Sequence, residues 1–256
     1  MPRKNTELIE GDCLEVLDTL YKKRGEIVDL VFCDPPYHLS NDGVTCQNGK
    51  MVGVNKGEWD RSAGFENNFE FSRAWVKKCQ TLLKPNGSMM VSGTLHSIYS
   101  IGFAMQELGM KLINNITWQK PNPPPNLSCR YLTHSTETII WAAKNEKSKH
   151  KFNYQLMKEI NDGKQMKDVW IMTSPSRREK VHGKHPTQKP LSLMARLILA
   201  CTEEGDVVLD AFNGSGTTGV AAIETKRKYI GIESESSYVA LSKKRFEASK
   251  RKSDIK

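Results

Sequence analysis

The strongest constraint on this chain is the alternation of short apolar runs with stretches of helical spacing. The run "IVDLVF" (27–32) is apolar but for Asp29 and shows no inside–outside alternation. Such a strand is buried on both faces, as in a parallel sheet covered by helices. The same reading applies to "ELIEGD", "SMMVSG", "DVVLDAF" and "KYIGIE". Between them, "CLEVLDTLYKK", "HSIYSIGFAMQELG", "KPLSLMARLILACTE" and "SSYVALSKKRFEASK" carry helical periodicity. "NNFEFSRAWVKKCQTLLK" does so too, anchored by Phe69, Trp75, Val76, Leu82 and Leu83 and ended by "PNG". "KLINNITWQK" and "TETIIWAAK" read as strands flanking "PNPPPNLSCRYLTHS". The pattern predicts an α/β fold with a mostly parallel sheet and helices on both faces.

Two polar, irregular stretches interrupt the alternation, at about 38–64 and about 145–185, the second with a short helix at "NYQLMKEIN". Both are read as insertions in a single domain of 1–256, and the first, too long for an ordinary connection, is expected to be a functional loop or a mobile one. The start, "MPRKNTELIEGD", has no signal pattern, and no apolar run approaches a membrane span. Six cysteines at 13, 33, 46, 79, 129 and 201 form no Cys-x-x-Cys pair. They predict free thiols in a reducing cytoplasm and no metal site. The net charge of +9 favours a polyanionic partner. Basic groups cluster at 144–151, 176–185 and 243–256, the last read as a solvated helix with a frayed tail.

The strand at 27–32 runs into "CDPPY" (33–37), an unusual set of groups for a strand tip. An exocyclic amine on a flat base is a poor nucleophile, because its lone pair is delocalised into the ring. Two acceptors, one for each amino hydrogen, favour a pyramidal nitrogen with its lone pair directed outward. Asp34 supplies a charged acceptor and the Pro35 carbonyl another, while Pro35 and Pro36 stiffen the turn. Asp34 also stabilises positive charge developing on that nitrogen. Tyr37 can stack on the base, which must be flipped from a duplex at a cost of roughly a few kcal/mol. Cys33 lies next to Asp34 on an alternating strand and should point into the core. Its place beside Asp34 also makes Cys33 a cofactor-side candidate.

"VVLDAFNGSGTTG" places Gly214-Ser215-Gly216-Thr217-Thr218-Gly219 between a strand and a helix, with Glu233 at the end of the next strand. This setting predicts an adenosine-containing cofactor. Asp210 before the glycines would repel a pyrophosphate but accept a bond from an ammonium. That favours S-adenosyl-L-methionine over a nicotinamide. A nicotinamide-dependent oxidoreductase and a catalytically silent DNA-binding module remain the readings from other classes.

"DPPY" with "DAFNGSGTTG" resembles the amino-group DNA methyltransferases. The tetrapeptide precedes the glycines by about 175 residues, and this order resembles the permuted β group of adenine-N6 enzymes of the restriction–modification type. "IEGDCLEVL", "NKGEWD", "NITWQKPNPPPN", "THSTETIIWAAK" and "GKHPTQKP" extend the resemblance over nearly the whole chain. It implies a Rossmann-like methyltransferase fold, a seven-stranded sheet with one antiparallel strand, and S-adenosyl-L-methionine as donor. Asp34, Pro35, Pro36 and Tyr37 would form the catalytic pocket. Phe212, Asn213, Gly214, Ser215, Gly216 and Thr217 would line the cofactor, with Glu233 on its ribose. Asp12 would lie near the cofactor adenine, or cap the helix after it, or both. His185, Thr187, Gln188 and Lys189 would touch the methionine end. The residues alone say only that a helix starts there. Ala211 and Asn213 depart from the proline and the smaller or apolar residue of many relatives, which puts cofactor affinity in question.

The resemblance also assigns target recognition to the two insertions. Ser40, Asn41, Lys56 and Trp59 would meet DNA from the first. Arg130, His134, Lys164, Lys167, Arg177 and Arg178, within 126–182, would do so from the second region, more often through phosphates than through base edges. A neutral serine or threonine usually replaces the aspartate in cytosine-N4 enzymes, so Asp34 favours adenine over that alternative. Duplex or single-stranded DNA, a homodimer and a cognate restriction endonuclease are left open as partners.

Overall fold

A computed structural model describes residues 5–37, 44–47, 50–53, 60–183 and 185–253. The chain runs β1 (Thr6–Glu10), α1 (Cys13–Arg24), β2 (Val28–Cys33), β3 (Val44–Gln47), β4 (Lys50–Gly53), α2 (Phe65–Leu82), β5 (Leu83–Gly93) and α3 (Ile98–Glu107). It continues with β6 (Lys111–Gln119), β7 (Thr136–Ala143), α4 (Tyr154–Ile160), β8 (Val169–Ile171), α5 (Leu191–Cys201), β9 (Val207–Asp210), α6 (Thr217–Glu224), β10 (Lys228–Glu233) and α7 (Ser236–Ser253).

Eight strands form the main sheet, in the order β1-β10-β9-β2-β5-β7-β6-β8. Every pairing in it is parallel except those of β7, which runs against β5 and β6. One antiparallel strand was expected, but the strand count was short by one. The addition is β8, a three-residue strand inside the basic stretch 145–185, too short to show a period. The stretch 38–64 likewise contains the antiparallel hairpin β3–β4. In the sequence an Asn48-Gly49 pair, a hairpin signal, separates those strands.

The apolar run in β2 sits at the middle of the sheet and feeds both cores. Val31 and Cys33 pack with Leu17, Trp75, Val76 and Cys79 of α1 and α2. Leu30 and Phe32 pack on the other face with Leu193, Met194 and Leu197 of α5. Each such side chain contributes about 1.5–3 kcal/mol by leaving water. Asp29 receives the Lys84 ammonium at 2.7 and 2.8 Å and the Val207 N–H at 2.9 Å, which ties β2 to its neighbours on each side. Among the described residues no helix is long and apolar enough to cross a membrane.

The C-terminal helix is less solvated than its charge suggested. Val239, Leu241, Ser242, Arg245, Phe246 and Ser249 of α7 are buried. Phe246 packs edge-on to Tyr229 with ring centroids 5.7 Å apart. A β-carbon on Gly219 would come within 2.4 Å of Phe246 and 2.7 Å of Tyr229. Gly219→Ala is therefore expected to cost about 1–3 kcal/mol by overpacking. The thermal midpoint followed by circular dichroism should fall by roughly 2–12 °C. An unchanged midpoint would show that α6 and α7 are not in close contact there.

Candidate active site

The parallel pairing of β2 with β9 sets Leu30 beside Val208 and Val31 beside Leu209. Because both strands point the same way, Asp34 beyond β2 and Asp210 at the end of β9 emerge on the same sheet edge. A cavity of about 440 Å³ opens between them, walled by Asp12, Asp34, Tyr37, Asp210, Gly214 and Glu233, among others. Small-molecule sites typically span about 300–1,000 Å³. Among the described residues, no three His, Cys, Asp or Glu side chains gather as a metal-binding group.

The glycine-rich turn forms one end of the cavity. Gly214 and Gly216 both adopt left-handed backbone, with φ of +50° and +75°. Gly216 does not reach the cavity wall as expected, because it packs against α7, where a β-carbon would meet Ser242 at 2.7 Å. Asn213 is buried and braces the turn. Its amide donates to Ser242 Oγ at 2.8 Å and to the Gly214 carbonyl at 3.0 Å, and its oxygen accepts from the Tyr229 hydroxyl at 2.9 Å. The departure at Asn213 thus strengthens the loop from behind. Arg245, which sequence reasoning left in a solvated helix, donates to the Ser215 carbonyl at 2.6 Å and to Thr217 Oγ1 at 3.0 Å.

Acidic groups line this end. Asp210 is buried and accepts from Thr218 Oγ1 at 2.6 Å and from the Phe212 N–H at 3.0 Å. Burial pushes its carboxyl up to about 7; the two hydrogen bonds oppose the shift, and the charges on Asp34 and Glu233 add to it. Glu233 accepts the N–H groups of Gly214 at 2.6 Å and Glu235 at 2.9 Å. Burial also raises its carboxyl above the ordinary value. Asp12 reaches the wall while accepting the Leu14 and Glu15 N–H groups at 2.8 and 3.2 Å, so the capping and cavity placements coexist.

Phe212 lies edge-on to Trp75, with ring centroids 5.3 Å apart, and His185 packs on Tyr238 at 4.3 Å. Thr187 and Gln188 complete this side, and the buried Gln188 Oε1 has no hydrogen-bond partner among the described residues. Cys33 is absent from the wall. Alternation along β2 turns its thiol into the core beside Cys79, and burial there raises its pKa well above the usual thiol range.

At the other end, Asp34 is the hub of a hydrogen-bonded cluster. Its Oδ1 accepts from the Tyr37 hydroxyl and from Ser92 Oγ, each at 2.5 Å. Its Oδ2 accepts from the Lys189 ammonium at 2.5 Å. Lys189, expected at the methionine end, instead lies within this cluster. Burial alone would lower its pKa, but Asp34 and Glu137 beside it hold it well above the usual lysine value. Tyr37 lies only 6 % exposed in the wall, and burial and the charge on Asp34 hold its hydroxyl protonated. Its backbone N–H donates to the buried Asp60 at 2.9 Å, which fixes the proline turn. Ser92, Asp60 and Glu137 were not singled out from the sequence. "NKGEWD" and "THSTETIIWAAK" contained two of them, but nothing local marked these acids as neighbours of Asp34.

Of the candidate DNA-binding residues, Ser40, Asn41, Lys56 and Trp59 lie outside the described residues. Arg130, His134, Lys164, Lys167, Arg177 and Arg178 are all exposed. Arg130 and His134 follow β6, and Arg177 and Arg178 follow β8, whose direction carries both pairs toward the edge bearing Asp34. Lys164 and Lys167 precede β8, toward its amino end, and so stand away from that edge.

The chain is similar to known proteins over most of its length. Residues 28–244 match the family described as DNA methylase. The chain is 53 % identical over 244 residues to the Type II methyltransferase M2.LlaDCHI of Lactococcus lactis subsp. cremoris, covering 95 % of this chain and 90 % of that one. It is 53 % identical over 242 residues to the Type II methyltransferase M2.DpnII of Streptococcus pneumoniae, covering 94 % and 89 %. The crystal structure of the M1.HpyAVI–SAM complex superposes with a TM-score of 0.72 at 32 % identity, covering 94 % of this chain and 98 % of that one. By sequence over most of its length, and by fold, the chain belongs to the DNA methylase family.

Proposed function

We propose that this DNA methylase transfers a methyl group from S-adenosyl-L-methionine to the N6 amine of a flipped-out adenine within a short recognition sequence. One observation carries the reading. A carboxylate on a proline-stiffened tip faces the same cavity as a glycine-rich turn flanked by acids. The resident groups suit that cofactor. Asp210 and the unpartnered Gln188 Oε1 offer acceptors to an ammonium, and Glu233 offers a carboxylate to ribose hydroxyls. Phe212 offers a ring edge and Asp12 an acceptor near a purine. When bound, S-adenosyl-L-methionine supplies an electrophilic methyl group.

Asp34 accepts one hydrogen of the target amine and the Pro35 carbonyl the other, which holds the nitrogen lone pair toward the cofactor side. The Asp34 charge then favours the nitrogen as it becomes positive. Proton loss from that nitrogen follows toward the same carboxylate and then to solvent. The face of Tyr37 in the cavity wall supports the base, offsetting part of the flipping cost. DNA lies along the edge bearing Asp34, held by Arg130, His134, Arg177 and Arg178, while Lys164 and Lys167 contribute at longer range. The Type II relatives fit a cytosolic enzyme working beside a cognate endonuclease.

Asp34→Ala should reduce methyl transfer at least on the order of 10²–10³-fold while leaving cofactor affinity within a few-fold, because Asp34 acts on the amine. Radiolabelled transfer and calorimetric titration of the cofactor give the two readouts. Mass spectrometry of nucleosides from methylated DNA should show N6-methyladenine. Full activity in Asp34→Ala, or N4-methylcytosine as the sole product, would overturn the proposal.

Asp210 makes cofactor binding pH-dependent. An ammonium partner favours the carboxylate, so the bound state has a lower pKa than the value of about 7 in the free protein. Binding below about pH 7 therefore releases a proton, and affinity should rise as pH climbs from about 5.5 to 7 and then level off. Asp210→Asn should remove the rise. A slope identical in both proteins would show that Asp210 does not meet the ammonium.

A further inference from the structure

Three donors already occupy the Asp34 carboxylate in this structure. Tyr37, Ser92 and Lys189 all donate to it, each at 2.5 Å. An amine that takes the place of one of these donors on Asp34 leaves a buried group that needs another acceptor. Lys189 also donates to the Tyr37 hydroxyl at 3.2 Å, and the nearest other carboxylate is Glu137. Its Oε2 lies 3.4 Å from the Lys189 ammonium and 3.5 Å from the Tyr37 hydroxyl, while its Oε1 is held by Lys120. The side chains of Lys189, Glu137 and Asp34 are only 7, 12 and 15 % exposed, so water does not readily stand in.

Strand direction explains the placement. Glu137 is the second residue of β7, the strand that runs against the rest, so its amino end meets the carboxyl ends of the others. Lys120 follows directly on β6, whose last residue pairs with the first of β7. The four charges balance, two acidic and two basic. Moving Lys189 from Asp34 to Glu137 keeps the cluster neutral overall and concentrates negative charge on Asp34, where positive charge on the amine develops.

We infer that Glu137 is a positioning residue for the methylation step, receiving Lys189 and the Tyr37 hydroxyl when the target amine takes their place on Asp34. The inference rests on the reading of Asp34 given above. Glu137→Gln preserves shape and removes the charge that attracts Lys189. It should lower kcat on the order of 10²-fold. KM for DNA and cofactor affinity should stay near those of the parent, while the thermal midpoint falls because Lys120 loses its buried partner. Glu137→Asp keeps the charge at a longer reach and should recover part of kcat. With Lys189→Met there is no ammonium to receive, so adding Glu137→Gln in that background should change kcat by less than about threefold.

Two results would overturn the inference. One is parental kcat in folded Glu137→Gln. The other is an equal loss from Glu137→Gln with and without Lys189, together with weakened cofactor binding, the mark of a merely structural acid. Neither is confused with failure of the functional reading itself, which appears as full activity in Asp34→Ala.

Discussion

The side-by-side parallel pairing of β2 and β9 is the constraint on which the remainder rests. Both strands are apolar on two faces and sit mid-sheet, with helices above and below. Burial fixes their direction and register, and direction fixes where their tips emerge. A strand slipped by one residue would exchange Val31 and Cys33 with Leu30 and Phe32 between the two cores. It would also turn Asp34 away from the cavity. The hydrophobic core and the chemistry at the edge are therefore set by the same interaction.

Around that edge the protein accumulates buried charge and compensates it locally. Asp34 and Glu137 are offset by Lys189 and Lys120. Asp210 is offset instead by neutral donors and by protonation near pH 7. One half of the cavity is thus held ionic and the other half titratable. A charged group that is desolvated and paired in the resting protein exerts its full field only when its partner is drawn off. This links the organisation of the cluster to a reaction that moves positive charge.

Much of this was legible in the chain. The tips at Asp34 and Asp210, the glycine turn and the helices after them are local patterns, and local patterns survive in sequence. Lys189 and Cys33 were the instructive differences. Lys189 sits in a motif whose neighbours Thr187 and Gln188 line the cofactor end, yet the length of its side chain carries its charge to the other end of the cavity. Cys33 is adjacent in sequence to Asp34 and opposite to it in space, because a strand reverses its side chains at every step. Glu137, Ser92 and Arg245 had no local signature at all. The first two depend on which way β7 runs and on β5 lying beside β2, and the third on α7 packing behind the glycine turn.

The amino-acid sequence by itself determined which strands are buried, which tips bear acids and glycines, and which family the chain resembles, since each follows from residue types a few positions apart. Tertiary structure alone decided that Lys189, Glu137, Lys120, Tyr37 and Ser92 form one cluster around Asp34, in which Tyr37, Ser92 and Lys189 bond its carboxylate and Lys120 bonds Glu137. Those residues come from five separate stretches of chain, and only strand order, strand direction and side-chain reach bring their polar atoms within hydrogen-bonding distance.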